Sequence, residues 1–306
     1  MLHRKAAAAA ALLIASLTAC GGEHSASSPH VSGKFGVQPH VSFGDGVPDA
    51  RYHESVVTSG SGRRIGAHDF VKFHITSQVW GKGKPVSTYQ GAKAPNVLHL
   101  GSAQSPPVLA KGLYGKRVGS RLLVTEQAGK AFGSQLPPGM KKSDVLAFVI
   151  DVVGATSVDE NVISRGKSAA PPADIPGLRQ PKATVPEVEI PKNAATPKVL
   201  RSFAVVHGSG EAVKVGQTVI AQSRGWSLNS GKEFQNTYKS SDPGLYPLGS
   251  GMLIKGWELG LADKHVGDRV EVVIPADLAY GDKPPPNSAM GKNASLVFVV
   301  DILGVV

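Results

Sequence analysis

A chain of 306 residues, 41% hydrophobic and 18% charged, has room for two ordinary domains and fits globular units joined by polar linkers. The net charge of +10 is scattered over the chain and is not interleaved with stacking aromatics, which argues against nucleic-acid binding. It reads as a solvated basic surface, with attraction to anionic headgroups or cell-wall polymers as the functional alternative. The 36 glycines and 22 prolines concentrate between periodic stretches and favour an all-β or α+β architecture over a helical bundle.

The N-terminus reads as an address. A basic His3-Arg4-Lys5 precedes an apolar run over 6–17 that is too short to span a bilayer, and small residues then lead to Leu17-Thr18-Ala19-Cys20. Residues 1–19 are expected to be a signal peptide. Cys20, the sole cysteine, resembles the acylated cysteine of a bacterial lipobox; a single thiol also rules out an intramolecular disulfide. Acyl chains there would hold the protein at the extracytoplasmic face of the cell membrane. Residues 20–32 are small and polar and are expected to form a flexible tether. His24, His30 and His40 lie in or near it at a spacing that fits no usual metal motif.

Residues 33–156 and 176–306 read as two domains, with 157–175 as a Ser-, Ala- and Pro-containing linker. An internal repeat supports the division. Val118-Gly119-Ser120-Arg121 recurs as Val266-Gly267-Asp268-Arg269, Ala131-Phe132-Gly133 as Ala279-Tyr280-Gly281, and Phe148 to Gly154 as Phe298 to Gly304, at offsets of 148 to 150. Units of that size are domains, not solenoid repeats.

The second copy shows its elements. Val270, Val272 and Ile274 alternate with Arg269 and Glu271, and Leu296, Phe298, Val300 and Ile302 alternate likewise; both stretches predict half-buried antiparallel strands. Leu253, Ile254, Trp257 and Leu261 follow helical spacing, and Asn229-Ser230-Gly231-Lys232 predicts a tight turn. The expected fold class is α+β: two domains, each a bent antiparallel sheet wrapped around one short helix.

Three motifs occur in order: LIxGWExGL from Leu253, VGxRxxxxIPxxxAYG from Val266 and NAxLVFxVxIL from Asn293. Together they resemble the FKBP-type peptidyl-prolyl isomerases, over roughly 203–306. The resemblance implies the same fold and a cavity that takes an X-Pro dipeptide. It makes Trp257 the floor, Phe234 a wall, Leu253 and Ile254 the rim, Phe298 the back and Met290 an apolar flap. The Ile254 amide and the Tyr280 hydroxyl would donate to substrate carbonyls. For Phe298, Leu261 and Val272 core packing is the plainer role.

The sequence departs from the family pattern at three places. Gln235 stands for an aspartate beside the substrate, Ser223 for a tyrosine and Gly244 for an aromatic, which predicts a wider, less aromatic pocket. In the first copy Leu109 replaces the tryptophan, Phe132 the tyrosine, and Pro85 or Val86 the wall phenylalanine, so that copy is expected to be non-catalytic.

The resulting expectation is a lipid-anchored, monomeric isomerase without cofactor or metal, acting on proline-containing exported polypeptides. Its rivals are a peptide-binding chaperone without catalysis and a spacer lipoprotein.

Overall fold

The computed structural model describes residues 27–306 except 91–94, 171, 173–175, 179–183, 192–195, 241, 287 and 289. The expected signal peptide, Cys20, His24 and most of the tether lie outside the described residues. The tether's last three positions, His30–Ser32, form strand β1, which pairs with β2 (His40–Ser42) in a short hairpin.

The first sheet contains β3 (His53–Thr58), β4 (Phe70–Val79), β5 (Val86–Ser87), β6 (Asn96–His99), β7 (Arg121–Gln127) and β8 (Val145–Thr156), with helices α1 (Pro107–Leu113) and α2 (Ala128–Phe132). Its order is β3-β7-β8-β4-β5, with β6 also on β4, all antiparallel. After β9 (Lys167–Ser168) comes a second hairpin, β10 (Gly177–Leu178) with β11 (Val188–Glu189). The second sheet follows: β12 (Arg201–His207), β13 (Thr218–Ser227), β14 (Glu233–Asn236), β15 (Gly244–Pro247), β16 (Arg269–Ile274) and β17 (Leu296–Val305), with helix α3 (Lys255–Leu261). Its order, β12-β16-β17-β13-β14 with β15 on β13, repeats that of the first, and β9 adds an edge strand beyond β12.

Each sheet buries one face against its short helix. In the second domain Val219, Val270, Val272, Ile274, Leu296, Phe298 and Val300 meet Trp257 and Leu261 of α3. The expected strands are present, but β16 and β17 are buried on both faces, not one. The reason is a cover that alternation alone does not reveal. Val188 and Ile190 of the second hairpin pack on Trp226, Val273, Val297 and Val299. In the first domain Val31, Val41 and Phe43 cover Leu123, Ala147 and Val149 in the same way. Pro39, Val41 and Phe43 recur as Pro186, Val188 and Ile190, at an offset of 147, so the hairpin belongs to the repeated unit.

The covered face also holds a buried ion pair in each domain. Arg121 donates from Nε and Nη2 to Asp151 at 2.6 and 2.7 Å, and Arg269 does the same to Asp301 at 2.6 and 2.6 Å. Arg121 also donates to the carbonyls of Gly33 and Val37, at 2.7 and 2.6 Å, and thereby straps the first hairpin down.

The stretch expected to be a plain linker is partly ordered. Residues Val162–Arg165 form a 3-10 turn, and Val158, Val162 and Ile163 pack on Val206 and Leu303. Its polar composition hides three apolar side chains that bind it to the second domain.

Candidate active site

The packing of α3 on the second sheet is built on missing Cβ atoms. A Cβ on Gly225 would lie 2.6 Å from Phe298 Cε1 and 2.9 Å from Phe234 Cζ, so glycine there lets both rings close over the strand. On α3, a Cβ on Gly256 would lie 2.3 Å from Ile274 Cγ2 and one on Gly260 2.6 Å from Val272 Cγ1. The helix backbone therefore rests directly on β16, and the indole of Trp257 is carried inward. Phe298 stands edge-on to Trp257 (centroids 5.2 Å apart, 84°) and to Phe234 (5.4 Å, 86°), an arrangement favoured by the ring quadrupoles. Trp257 is 4% exposed.

The rim lies at the start of the helix. Ile254 is the N-cap (φ −63°, ψ 147°); its carbonyl accepts from Trp257 N at 3.0 Å. Its own N–H has no acceptor among the described residues, as expected at a helix start. Leu253 and Ile254 are half-buried against the core. Tyr280 follows a 3-10 turn over Ala276–Leu278 that is closed by Gly281 N donating to Ala276 O at 3.0 Å. The ring is 38% exposed, and partial burial pushes its phenol pKa up, so it is a neutral donor at ordinary pH.

The structure thus brings Phe234, Leu253, Ile254, Trp257 and Phe298 to one cluster and sets Tyr280 on the turn beside it. Met290 is 7% exposed and packs in the same core cluster as Trp257. One expectation is corrected: the place left by Gly244 is not empty. A Cβ on Gly244 would lie 2.4 Å from Tyr246 Oη, which shows that the Tyr246 phenol has taken the space. Its ring leans on Trp257 (4.3 Å, 33°), and its hydroxyl bonds Ser223 Oγ at 2.8 Å. Gln235 Nε2 donates to Ser223 Oγ at 2.7 Å and to Tyr246 Oη at 3.0 Å. The three departures from the family pattern are therefore one unit: a closed polar cluster with a fourth ring against the floor. Sequence reasoning missed Tyr246; the signal was the two-residue period of β15, which puts positions 244 and 246 on the same face.

The arrangement supplies an apolar cluster of rings with, at the helix start, an amide N–H that has no acceptor among the described residues and, on the neighbouring turn, a part-exposed phenol. The first domain does not reproduce it. Leu109 stands in place of Trp257, and Phe132 packs edge-on to Phe148 (6.1 Å, 65°) without a hydroxyl to offer. The α1 N-cap is Pro106, which has no N–H where Ile254 has one. Val86 pairs with Ser77 as Gln235 pairs with Gly225, so Pro85 takes the place of Phe234.

A family model for FKBP-type peptidyl-prolyl cis-trans isomerases matches residues 62–153 and again 209–303, more than half of the chain. The chain belongs to that family. It is a tandem FKBP-type protein and a peptidyl-prolyl cis–trans isomerase. An FK506-binding protein of Streptomyces anulatus is 34% identical over 120 residues, 39% of this chain and 96% of that protein. FK506-binding protein 2 of Aspergillus oryzae is 34% identical over 93 residues, 29% of this chain and 66% of that protein. The isomerase FkpA of Escherichia coli is 39% identical over 98 residues, which is 32% of this chain and 34% of FkpA. The chain thus spans nearly all of the Streptomyces protein but only about a third of FkpA.

Proposed function

We propose that the isomerase activity resides in the second domain, in the hollow formed by Phe234, Ile254, Trp257, Tyr280 and Phe298, and that it serves the folding of proline-containing polypeptides after export. The observation that carries this reading is the pairing of an unsatisfied Ile254 N–H with an aromatic floor, where the first domain has Pro106 above Leu109.

The chemistry needs no nucleophile and no proton relay. Rotation about an X-Pro bond breaks amide resonance, against a barrier near 20 kcal/mol, and takes tens to hundreds of seconds unaided. The planar amide is more charge-separated than the twisted one. An apolar hollow therefore disfavours the planar ground state more than the twisted state. Donors at the rim, Ile254 N–H and Tyr280 O–H, hold the substrate carbonyls while the proline ring sits over Trp257.

Cys20 in this reading is the acylated residue that places the protein on the outer face of the cell membrane, and the basic surface faces anionic headgroups. The test is a pair of refolding assays with the full chain. It is expected to accelerate the slow phase of a substrate limited by a cis proline, with Trp257→Leu removing the acceleration. Suppressed aggregation of a proline-free substrate, without any acceleration, would select a chaperone instead. Replacing Cys20 by serine is expected to release the protein from membranes; unchanged membrane association would remove the anchor from the account.

A further inference from the structure

The first domain lacks the donor, the floor and the wall of the hollow, yet it touches the second domain at the loop that leads into the hollow's fourth ring. Asp242 lies between the 3-10 turn Thr237–Lys239 and β15. Its carboxylate is held entirely from the first domain: His99 Nδ1 lies 2.7 Å from Oδ1, and Ser102 Oγ donates to Oδ2 at 2.5 Å. These two bonds hold the carboxyl below the usual carboxylate range, Ser102 being the larger cause.

The holding side is rigid. His99 ends β6, stacks on the buried ring of Phe70 (4.3 Å, 9°), and its carbonyl accepts from Ser105 Oγ. The held side is short. Pro243 and Gly244 follow Asp242 directly, and Tyr246 stands four residues on, leaning on Trp257 and bonded to Ser223 and Gln235. A further contact keeps the domains in register: Lys72 Nζ donates to the carbonyls of Gly216 and Val306 at 3.3 and 3.2 Å. A cavity of about 270 Å³ remains beside the clasp, lined by His68, Glu160 and Pro243 among others, so the contact is a polar point of attachment and not a continuous core.

We propose that the first domain is a positioning element for the second: His99 and Ser102 grip Asp242 and thereby fix the loop that presents Tyr246 to the floor of the isomerase hollow. This rests on the second-domain site argued above. Fixing a loop that borders a binding site lowers the ordering cost of substrate binding. His99, Ser102 and Asp242 would therefore act on substrate affinity more than on the rotation step, since none of them belongs to the hollow.

The test uses the full chain with His99→Ala, Asp242→Ala and their conservative counterparts His99→Asn and Asp242→Asn, which keep a hydrogen-bonding group at the clasp. Turnover of a proline tetrapeptide and backbone amide exchange over residues 237–247 are measured on each. The alanine variants are expected to raise KM about three- to tenfold with kcat within about twofold. They should also quicken exchange over 237–247 about tenfold, because the loop opens more easily. The asparagine variants should recover most of both effects, which a mere loss of stability would not do. The proposal is overturned if both alanine variants leave KM and exchange at wild-type values, or if kcat falls with KM unmoved. If wild-type protein turns over no proline peptide, the isomerase site falls; the exchange measurement then still upholds or overturns the clasp by itself.

Discussion

The two domains share a frame and differ where the second gathers its rings and rim N–H, and the comparison separates the features common to the fold from those proposed for the chemistry. Strand order, the covering hairpin and the buried bidentate pair, Arg121–Asp151 in one and Arg269–Asp301 in the other, occur in both. At the proposed site the changes are Pro106 for Ile254, Leu109 for Trp257, Phe132 for Tyr280 and Pro85 for Phe234. The opposite face carries a further change of a different kind. Leu123 under the first hairpin corresponds to Glu271 in the second domain, a fully buried residue whose two carboxyl oxygens have no hydrogen-bond partner among the described residues. Burial alone pushes its pKa up to about 8. The first domain keeps the fold without the second domain's rings and rim N–H, whereas the second domain carries a buried acid where the first has a leucine.

The shared frame is the place to expect the largest effects. Asp151→Ala and Asp301→Ala each strand a buried guanidinium, and each should cost its own domain roughly 3–5 kcal/mol in denaturant unfolding. A large loss in one domain only would show that the frame is not used equally. Glu271 comes next. A carboxyl whose folded pKa is raised binds its proton more tightly in the folded state, so its contribution is intact below the unfolded value near 4.5 and is lost as pH rises through about 8. Stability should fall by about 2–4 kcal/mol between pH 5 and pH 8, and Glu271→Leu, the first domain's choice, should flatten that profile and raise stability at pH 8. An unchanged slope would place the pH dependence elsewhere. The smallest effect concerns the polar cluster. Tyr246→Phe removes one hydroxyl but leaves Gln235 bonded to Ser223, so it should cost only about 1 kcal/mol of stability. A cost several times larger would mean that the phenol is the cluster's keystone.

Much of this was legible in the sequence. The motifs around Trp257 and Phe298 marked segments that pack together in the second core, and the 148 to 150 offset located the repeat. What was hidden depended on contacts between distant segments. Alternation in β16 marked Arg269, Glu271 and Val273 as one face but not as covered, because the cover, Val188 and Ile190, comes from a stretch rich in proline with no long apolar period. The ordered part of the linker was masked by its polar composition. At the hollow, three substitutions read singly predicted a wider pocket. Only the packing shows that Tyr246 fills the gap at Gly244 and satisfies Ser223 and Gln235 at once.

The central claim is that one hollow, the second domain's, turns the X-Pro bond. The most direct measurement is kcat/KM for a proline tetrapeptide with the full chain carrying Trp257→Leu and Tyr280→Phe, the residues found in the first domain, beside a chain carrying Leu109→Ala. The former should lose about 100-fold or more, as a lost floor and a lost donor each cost about tenfold or more; the latter should keep wild-type activity. Near-wild-type turnover by the doubly substituted chain, or its loss on Leu109→Ala in a chain that remains folded, would contradict the account.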